Sequence, residues 1–287
     1  MSALALSMVL IAALCHAAWN LAAKNVQSDG FTFVWLYDLA SAVLWAPIAV
    51  LALLLSGAGP SPALLPATLV SGLLHIAYQL ILQTGYARAD LGIVYPVARG
   101  TGPVLSMAIA ILVLGERPGT VAAVGALVVV GGILVVATGR SAAGRHGVRA
   151  GVAWGAATGL CIAGYTLWDS VAVTALGQPP LAYFVTSCLW QVVLMAPTLL
   201  RRHRADVRPV LARHWREIAL VAVLSPLAYV LVLTAMQTAP VSLVAPARES
   251  SIVVGSLLAW WFFREPDLPR RLLGAGIVLT GIVLITV

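Results

Sequence analysis

Charged residues are scarce in this chain of 287 residues: they make up 9% of it, whereas apolar residues make up 61%. A soluble domain carries about 25% charged residues to cover its surface, so a water-soluble globular fold is excluded. Apolar runs of about twenty residues, long enough to cross a hydrocarbon core, recur along the sequence. Because backbone groups in lipid must be hydrogen-bonded internally, these runs are predicted to be helices rather than the shorter strands of a membrane barrel.

The sequence also lacks nucleotide-binding and metal-binding motifs. No G-x-x-x-x-G-K-[ST] segment is present, which argues against ATP hydrolysis by this chain. The cysteines Cys15, Cys161 and Cys188 lie inside apolar runs without disulfide or metal spacing, so we interpret them as small packing residues. We therefore expect no cofactor and no metal.

Ten membrane spans are predicted, so the fold class is an all-α membrane protein. The first run has no basic segment before it and no clear cleavage site, and we expect it to be retained as a helix. The connections are short except for the basic segment 201–216. The predicted spans cover about residues 3–24, 31–55, 64–86, 91–114, 119–139, 150–170, 180–200, 217–238, 242–263 and 269–287.

The second half of the chain repeats the first at an offset of about 150 positions. We expect a first repeat over residues 1–140 and a second over residues 141–287. Because each half has an odd number of spans, the second enters the membrane from the opposite side, which gives a 5+5 inverted repeat around a central cavity. The matching segments are Ala46-Pro47 with Ala196-Pro197, Ala77-Tyr78 with Ala228-Tyr229, Pro96-Val97-Ala98-Arg99 with Ala245-Pro246-Ala247-Arg248, and Gly125 and Gly132 with Gly274 and Gly281.

The basic residues predict an orientation in the membrane. Fourteen of the 17 fall in or beside loops that follow odd-numbered spans, whereas only Arg117 lies in a loop that follows an even-numbered span. Since cytoplasmic loops are enriched in Lys and Arg, the odd loops should be cytoplasmic and both termini outside. This placement also explains the net charge of +7 without a nucleic-acid partner.

Two segments resemble the fourth helix of EamA-type transporters, which belong to the drug/metabolite transporter superfamily. They are Gly85 to Gly100 followed by Leu114-Gly115-Glu116-Arg117-Pro118, and, less strictly, Pro240-Val241 to Arg264-Glu265-Pro266. The resemblance covers nearly the whole chain as two consecutive units. It implies ten helices around a central cavity and transport of a small organic solute. Many relatives carry their basic residues so that the termini are cytoplasmic, and here the bias is reversed.

Two arginines lie well inside predicted spans at repeat-related positions. Arg99 and Arg248 are each near a proline, Pro96 and Pro246, which removes a helical hydrogen bond and can leave a break that lines a cavity. A charge at the membrane centre costs about 2.5–3.5 kcal/mol on insertion scales, so such a residue is a functional candidate. One interpretation is that the arginines bind a carboxylate or phosphate of the substrate. The other is a buried ion pair, with Glu249 or an acid of another helix as partner.

Acids and a histidine in the spans are candidates for coupling or cation binding. Asp38 either takes up a proton or cation, or pairs with one of the arginines. Asp169 has the same functional interpretation, and its alternative is a position at the membrane interface. Histidine titrates near neutral pH, which makes His75 a further candidate. The coupling candidates are Asp38, Asp169, Glu249 and His75.

Polar and aromatic residues are interleaved in spans one, three, four and six. Rings beside hydrogen-bonding groups suit an amphipathic organic solute, and the alternative is helix-to-helix hydrogen bonding or interfacial anchoring. We interpret Glu116 and Glu265 as interfacial ion pairs or helix-end contacts rather than cavity ligands, and the paired glycines as packing surfaces of spans five and ten. With the two arginines, the substrate-binding candidates are His16, Trp19, Asn20, Tyr78, Tyr95, Arg99, Tyr165 and Arg248.

We therefore expect a secondary transporter, and not an enzyme, that moves a zwitterionic or anionic metabolite such as an amino-acid-like solute across the cytoplasmic (inner) membrane. Its partners would be a small-molecule substrate and the lipid bilayer, with the chain a monomer or weak homodimer. One alternative within the same fold is an exporter of lipophilic cations. An alternative of another class is an intramembrane lipid-modifying enzyme, but the polar residues are spread over both repeats rather than clustered.

Overall fold

The computed structural model of the protein describes residues 1–24, 26, 30–57, 61–89, 91–137, 145–254 and 268–286. Within these residues the secondary structure is helical and includes no strand. The α-helices are α1 (Ala3–Lys24), α2 (Gly30–Ser56), α3 (Leu64–Arg88), α4 (Leu91–Leu112), α5 (Thr120–Ala137), α6 (Arg145–Thr174), α7 (Pro180–Thr198), α8 (Val207–Met236), α9 (Val241–Arg248) and α10 (Leu268–Thr286).

Several helices are long and apolar enough to cross a membrane. In the part of the chain that the structure describes, five helical segments meet this condition: Ala3–Ala23, Gly30–Ser56, Leu64–Leu82, Arg149–Thr174 and the continuous run Pro180–Met236. Shorter apolar segments lie in α4, α5 and α10. The all-helical membrane fold is therefore confirmed, whereas ten crossings stay a prediction.

Helix packing follows the sequence repeat. α1 packs against α8, and its repeat counterpart α6 packs against α3. α2 packs against its own counterpart α7, and α5 against its counterpart α10. These contacts between the halves therefore recur with the halves exchanged, and they bring α1, α3, α6 and α8 around one centre.

α5 and α10 approach each other closely through glycines, as the sequence predicted. A Cβ atom on Gly125 would lie 2.7 Å from the carbonyl oxygen of Gly281, and one on Gly132 would lie 2.9 Å from the carbonyl oxygen of Gly274. Only hydrogen fits between backbones at these distances. The glycine pairs thus allow two helices to pack without the space that side chains require.

The connection between α7 and α8 differs from expectation, because segment 201–216, which was predicted to be a loop between two spans, is helical. A π-helical turn, Leu199–His203, and a 3₁₀ turn, Arg204–Asp206, lead directly into α8, which kinks at His214 (φ −120°, ψ 23°). Arginine, leucine and alanine are good helix formers, so the segment's charge does not oppose helix formation. Exposed Trp215 beside the arginines is typical of a helix at the membrane interface.

α9 ends within the predicted ninth span rather than running through it. After Arg248, the amides of Glu249 and Ser250 donate to the carbonyls of Pro246 and Ala247, which are tight i→i−3 bonds at 3.1 Å. Helix resumes over residues 251–254, and the rest of that span lies outside the described residues. Because Pro246 has no amide hydrogen, α9 also lacks the bond that residue 246 would donate to the carbonyl of Ser242. α4 continues through Pro96 without a break.

Candidate functional site

A cavity of about 270 Å³ lies between the two halves of the chain, lined by side chains from α1 to α4 and from α6 to α9. It brings together predicted residues that are far apart in sequence. Lining the cavity are the binding candidates His16, Trp19, Asn20, Tyr78, Arg99, Tyr165 and Arg248 and the coupling candidates Asp38 and His75. Of the remaining candidates, Asp169 and Glu249 are buried in its wall, and the side chain of Tyr95 lies outside the described residues.

Glu249 joins the two repeat-related arginines. Its Oε2 accepts from Arg99 Nη1 at 3.0 Å, and its Oε1 accepts from Arg248 Nη2 at 3.1 Å and from Arg248 Nε at 3.4 Å. Glu249 is 1% exposed, whereas both arginines line the cavity. The ion pair is therefore present, and one carboxylate binds two guanidiniums. These three side chains carry two positive charges and one negative charge.

Arg248 lies at the end of α9, where the helix breaks. Its Nη1 donates to no acceptor in the described part of the chain, and its guanidinium carbon lies 6.0 Å from the centre of the Tyr165 ring, within the range of a cation–π contact. Glu249 thus holds the Nε and Nη2 side of the guanidinium in place. The Nη1 group is left for a further acceptor.

Aromatic rings pack beside the arginines. His75 stacks on Tyr165 with ring centres 4.3 Å apart, and Tyr78 meets Tyr165 edge-on at 5.6 Å. Tyr229 meets His75 edge-on at 5.6 Å and also lines the cavity. Sequence reasoning did not place Tyr229 in the site, although its position as the repeat counterpart of Tyr78 was a usable signal.

Asp169, for which the sequence left a position at the membrane interface as the alternative, is enclosed by protein. The residue is fully buried, and its carboxylate accepts hydrogen bonds from the hydroxyls of Tyr183 (2.7 Å) and Tyr229. These tyrosines come from α7 and α8 and line the cavity. Two hydrogen-bond donors from neighbouring helices offset the cost of burying the acid, and the two bonds connect α6 to α7 and to α8.

Asp38 lines the cavity but pairs with neither arginine. It is 5% exposed, no ion pair of the described residues includes it, and its Oδ2 accepts no hydrogen bond from them. Nε2 of His16 and Nε1 of Trp19 are likewise buried without a partner among the described residues. Asn20 donates only to the carbonyl of His16 in its own helix, at 2.7 Å.

Glu116 connects the first half of the chain to the start of α9. Its two carboxylate oxygens accept from the amides of Val241 (2.8 Å) and Ser242 (2.9 Å), so it caps the helix that carries Arg248. Of the two interpretations of Glu116, an interfacial ion pair or a helix-end contact, these bonds match the helix-end contact. Its repeat counterpart Glu265 lies outside the described residues.

The model of the EamA-like transporter family matches the chain twice, over residues 3–138 and 149–287. The chain belongs to the EamA-like transporter family. It is accordingly a multi-pass membrane transporter of the drug/metabolite transporter type, built from two EamA units. Members of the family are transporters and generally not enzymes.

Comparison with solved structures supports the same fold for this EamA-like chain. Of 29 matching chains, one is titled only "Crystal structure of protein"; it is 18% identical, with a TM-score of 0.79 over 100% of this chain and 97% of its own. That likeness concerns the fold alone. No curated protein matches the chain. In the described residues, no group of three His, Cys, Asp or Glu side chains is arranged to hold a metal ion.

Proposed function

We propose that this EamA-like chain is a secondary transporter that moves a small zwitterionic or anionic organic metabolite, amino-acid-like in size and charge, across the cytoplasmic membrane. The observation that carries the proposal is the cluster of Arg99, Glu249 and Arg248 beside the cavity. The guanidinium of Arg248, which lines the cavity, would attract a carboxylate. The Nη1 group of Arg248 would donate to that carboxylate while Nε and Nη2 stay bound to Glu249.

The aromatic wall supports an organic rather than an inorganic anion as substrate. His75, Tyr78 and Tyr165 form a continuous set of ring contacts next to Arg248. A carboxylate bound at the arginine would place the organic part of the solute against these rings, where apolar surface is removed from water. The arginine would thus select charge, and the rings would select size and shape.

Alternating access between two inverted halves is the transport mechanism that we propose. α6 is held to α3 by the indole of Trp168, which donates to the carbonyl of Ala67 at 2.8 Å. The repeat-related indole of Trp19 has no such partner in the described residues. This asymmetry supports a state in which the contacts at one end of the cavity are formed and their counterparts at the other end are not. The proposal also places the boundary between the two repeats at residue 140 and both termini outside the cell. It further includes that the chain is a monomer or a weak homodimer.

A lipophilic cation is the alternative substrate class, and Asp38 is the observation that favours it. An unpaired carboxylate beside aromatic rings could bind an ammonium group. The two substrate classes depend on different residues, because an anion requires Arg248 and a cation requires Asp38. Substrates of equal shape but different charge would therefore distinguish them.

The test measures flux into proteoliposomes of three solutes that share one ring and chain length: L-phenylalanine (zwitterion), 3-phenylpropionate (anion) and phenethylamine (cation). We expect the first two to move and the third not to move. Arg248→Gln should lower their transport about tenfold or more, because a charge-assisted hydrogen bond is worth about 1.5–3 kcal/mol. The exposed Arg216→Gln is the matched control and should leave it unchanged. Movement of phenethylamine alone would overturn the anion site, and no flux across a wider metabolite panel would overturn secondary transport.

A further inference from the structure

Asp38 is a buried acid in the cavity wall whose charge nothing in the described residues neutralises. It lies on α2, is 5% exposed, and takes part in none of the ion pairs there. Its Oδ2 accepts no hydrogen bond from the described residues. The other two buried acids of the site are satisfied, since Glu249 binds two arginines and Asp169 binds two tyrosine hydroxyls.

The groups around Asp38 are neutral ones. Tyr37 on its own helix and Cys188 on α7 lie within electrostatic range of the carboxyl, and Tyr78 on α3 lies within electrostatic range of Tyr37. α8, which also packs against α2, contributes uncharged Ser225 together with Tyr229, whose hydroxyl is bound to Asp169.

The cationic groups near α2 are engaged elsewhere. His203 of the adjoining π-helical turn faces Asp206 at 3.5 Å. Across the cavity, His16 interacts with the arginine cluster rather than with Asp38. Asp38 therefore has no cation of the described residues close to it.

An ionised carboxylate without a cation or a donor is among the most costly groups to bury, whereas a protonated one is neutral. A metal ion is a poor substitute for the proton, since no group of metal-ligating side chains surrounds Asp38 in the described part of the chain. We infer that Asp38 is a proton-binding site, and that the proton it carries crosses the membrane in the same direction as the substrate.

The direction of coupling follows from charge, and this step rests on the proposed function. Asp38 and Arg248 line the same cavity. An ionised Asp38 opposes a carboxylate at Arg248, so protonation of Asp38 strengthens anion binding, and by linkage anion binding strengthens protonation. Proton and substrate are therefore bound together and released together. In each cycle one proton adds reversibly to Oδ2 on one side and leaves it on the other, and no other bond changes.

The experiment uses the full chain in proteoliposomes with a pH-sensitive dye inside and 3-phenylpropionate as the solute. In the wild type, uptake above that of protein-free liposomes should acidify the interior, and each unit of inward pH gradient should raise this protein-dependent accumulation about tenfold, as one proton per solute requires. Asp38→Asn should abolish both effects and still exchange labelled for unlabelled solute at equal pH. Asp38→Glu should keep the coupling. Asp206→Asn, which changes an acid outside the cavity, is the control that should match the wild type.

The outcomes separate this inference from the proposed function. A wild type that neither exchanges nor accumulates the solute overturns the proposed function and the coupling with it. A wild type that exchanges the solute without moving protons overturns the coupling alone. So does an Asp38→Asn variant that still responds to the pH gradient. An Asp38→Asn variant that also loses exchange at equal pH would make Asp38 part of the substrate site instead.

Discussion

Trp19 and Trp168 occupy repeat-related positions, and only Trp168 uses its indole N–H. Trp168 Nε1 donates to the carbonyl of Ala67 at 2.8 Å, whereas Trp19 Nε1 is buried without a partner among the described residues. The repeat counterpart of Ala67 is Ile218 on α8. Trp19 packs against the apolar cluster that contains Ile218, so the two residues that correspond to the bonded pair Trp168 and Ala67 lie in one cluster.

Trp168→Phe should open the cavity toward the side on which α3 begins and α6 ends. The substitution keeps an aromatic ring but removes the donor that holds α6 to α3. Cys188 lines the cavity, so the rate at which its thiol is modified measures how accessible the cavity is. The other two cysteines, Cys15 and Cys161, are replaced by Ala so that only Cys188 reacts. We expect faster modification of Cys188 by a membrane-impermeant thiol reagent from that side. Trp19→Phe is the control, and an equal acceleration there would contradict the assignment.

Glu249→Gln should be strongly destabilising, because it leaves two arginines in the wall of the cavity without their shared counter-charge. Removing one partner of a buried ion pair costs about 3–5 kcal/mol of the free energy of unfolding. Denaturant unfolding of the variant and the wild type in detergent measures this loss of stability. Glu217→Gln is the matched control, since Glu217 faces only His214 at 3.9 Å on a more exposed surface. A surface pair of that kind is worth about 0–1 kcal/mol. Equal losses in both variants would show that the arginine cluster does not depend on Glu249.

Gly125→Ala and Gly281→Ala should each weaken the contact between α5 and α10. In both cases the new methyl group would lie 2.7 Å from a carbonyl oxygen of the opposite helix, so the backbones must separate. Overpacking of this kind costs about 1–3 kcal/mol. Gly131→Ala and Gly276→Ala lie in the same two helices with nothing within 4 Å, and there alanine should be neutral or stabilising. Thermal unfolding of the four variants measures the difference in stability between the two pairs. Equal stability of all four variants would show that the helices do not meet at Gly125 and Gly281.

Glu116→Ala should loosen the start of α9. It removes the acceptor for the amides of Val241 and Ser242 and the negative charge at the helix N-terminus. Loss of a cap costs about 0.5–2 kcal/mol of the free energy of unfolding. Hydrogen exchange at Val241 and Ser242 should accelerate, and the neighbouring exposed Arg117→Ala should not affect it. Unchanged exchange in Glu116→Ala would mean that the cap does not hold α9.

Much of the site could be predicted because charges and small residues are conspicuous in apolar helices. Arg99 and Arg248 are costly in a membrane, and their repeat relation pointed to one place between the halves. Tyr183 and Tyr229 were harder to place. A tyrosine in an apolar span looks the same in sequence whether it faces lipid, a neighbouring helix or a cavity. Their shared partner Asp169 could be recognised only once α6, α7 and α8 were packed together.

The sequence by itself determined the helical membrane architecture, the two repeated units and the family, because composition, span length and repetition are properties of the chain as written. Only the tertiary structure decided how the charges are shared. Arg99 and Glu249 are 150 positions apart, yet Arg99 Nη1 donates to Glu249 Oε2 at 3.0 Å. Asp38 was an equally plausible partner for Arg99 in the sequence and has none among the described residues. Pairing requires distances between helices, and these are set by how side chains pack rather than by their order along the chain.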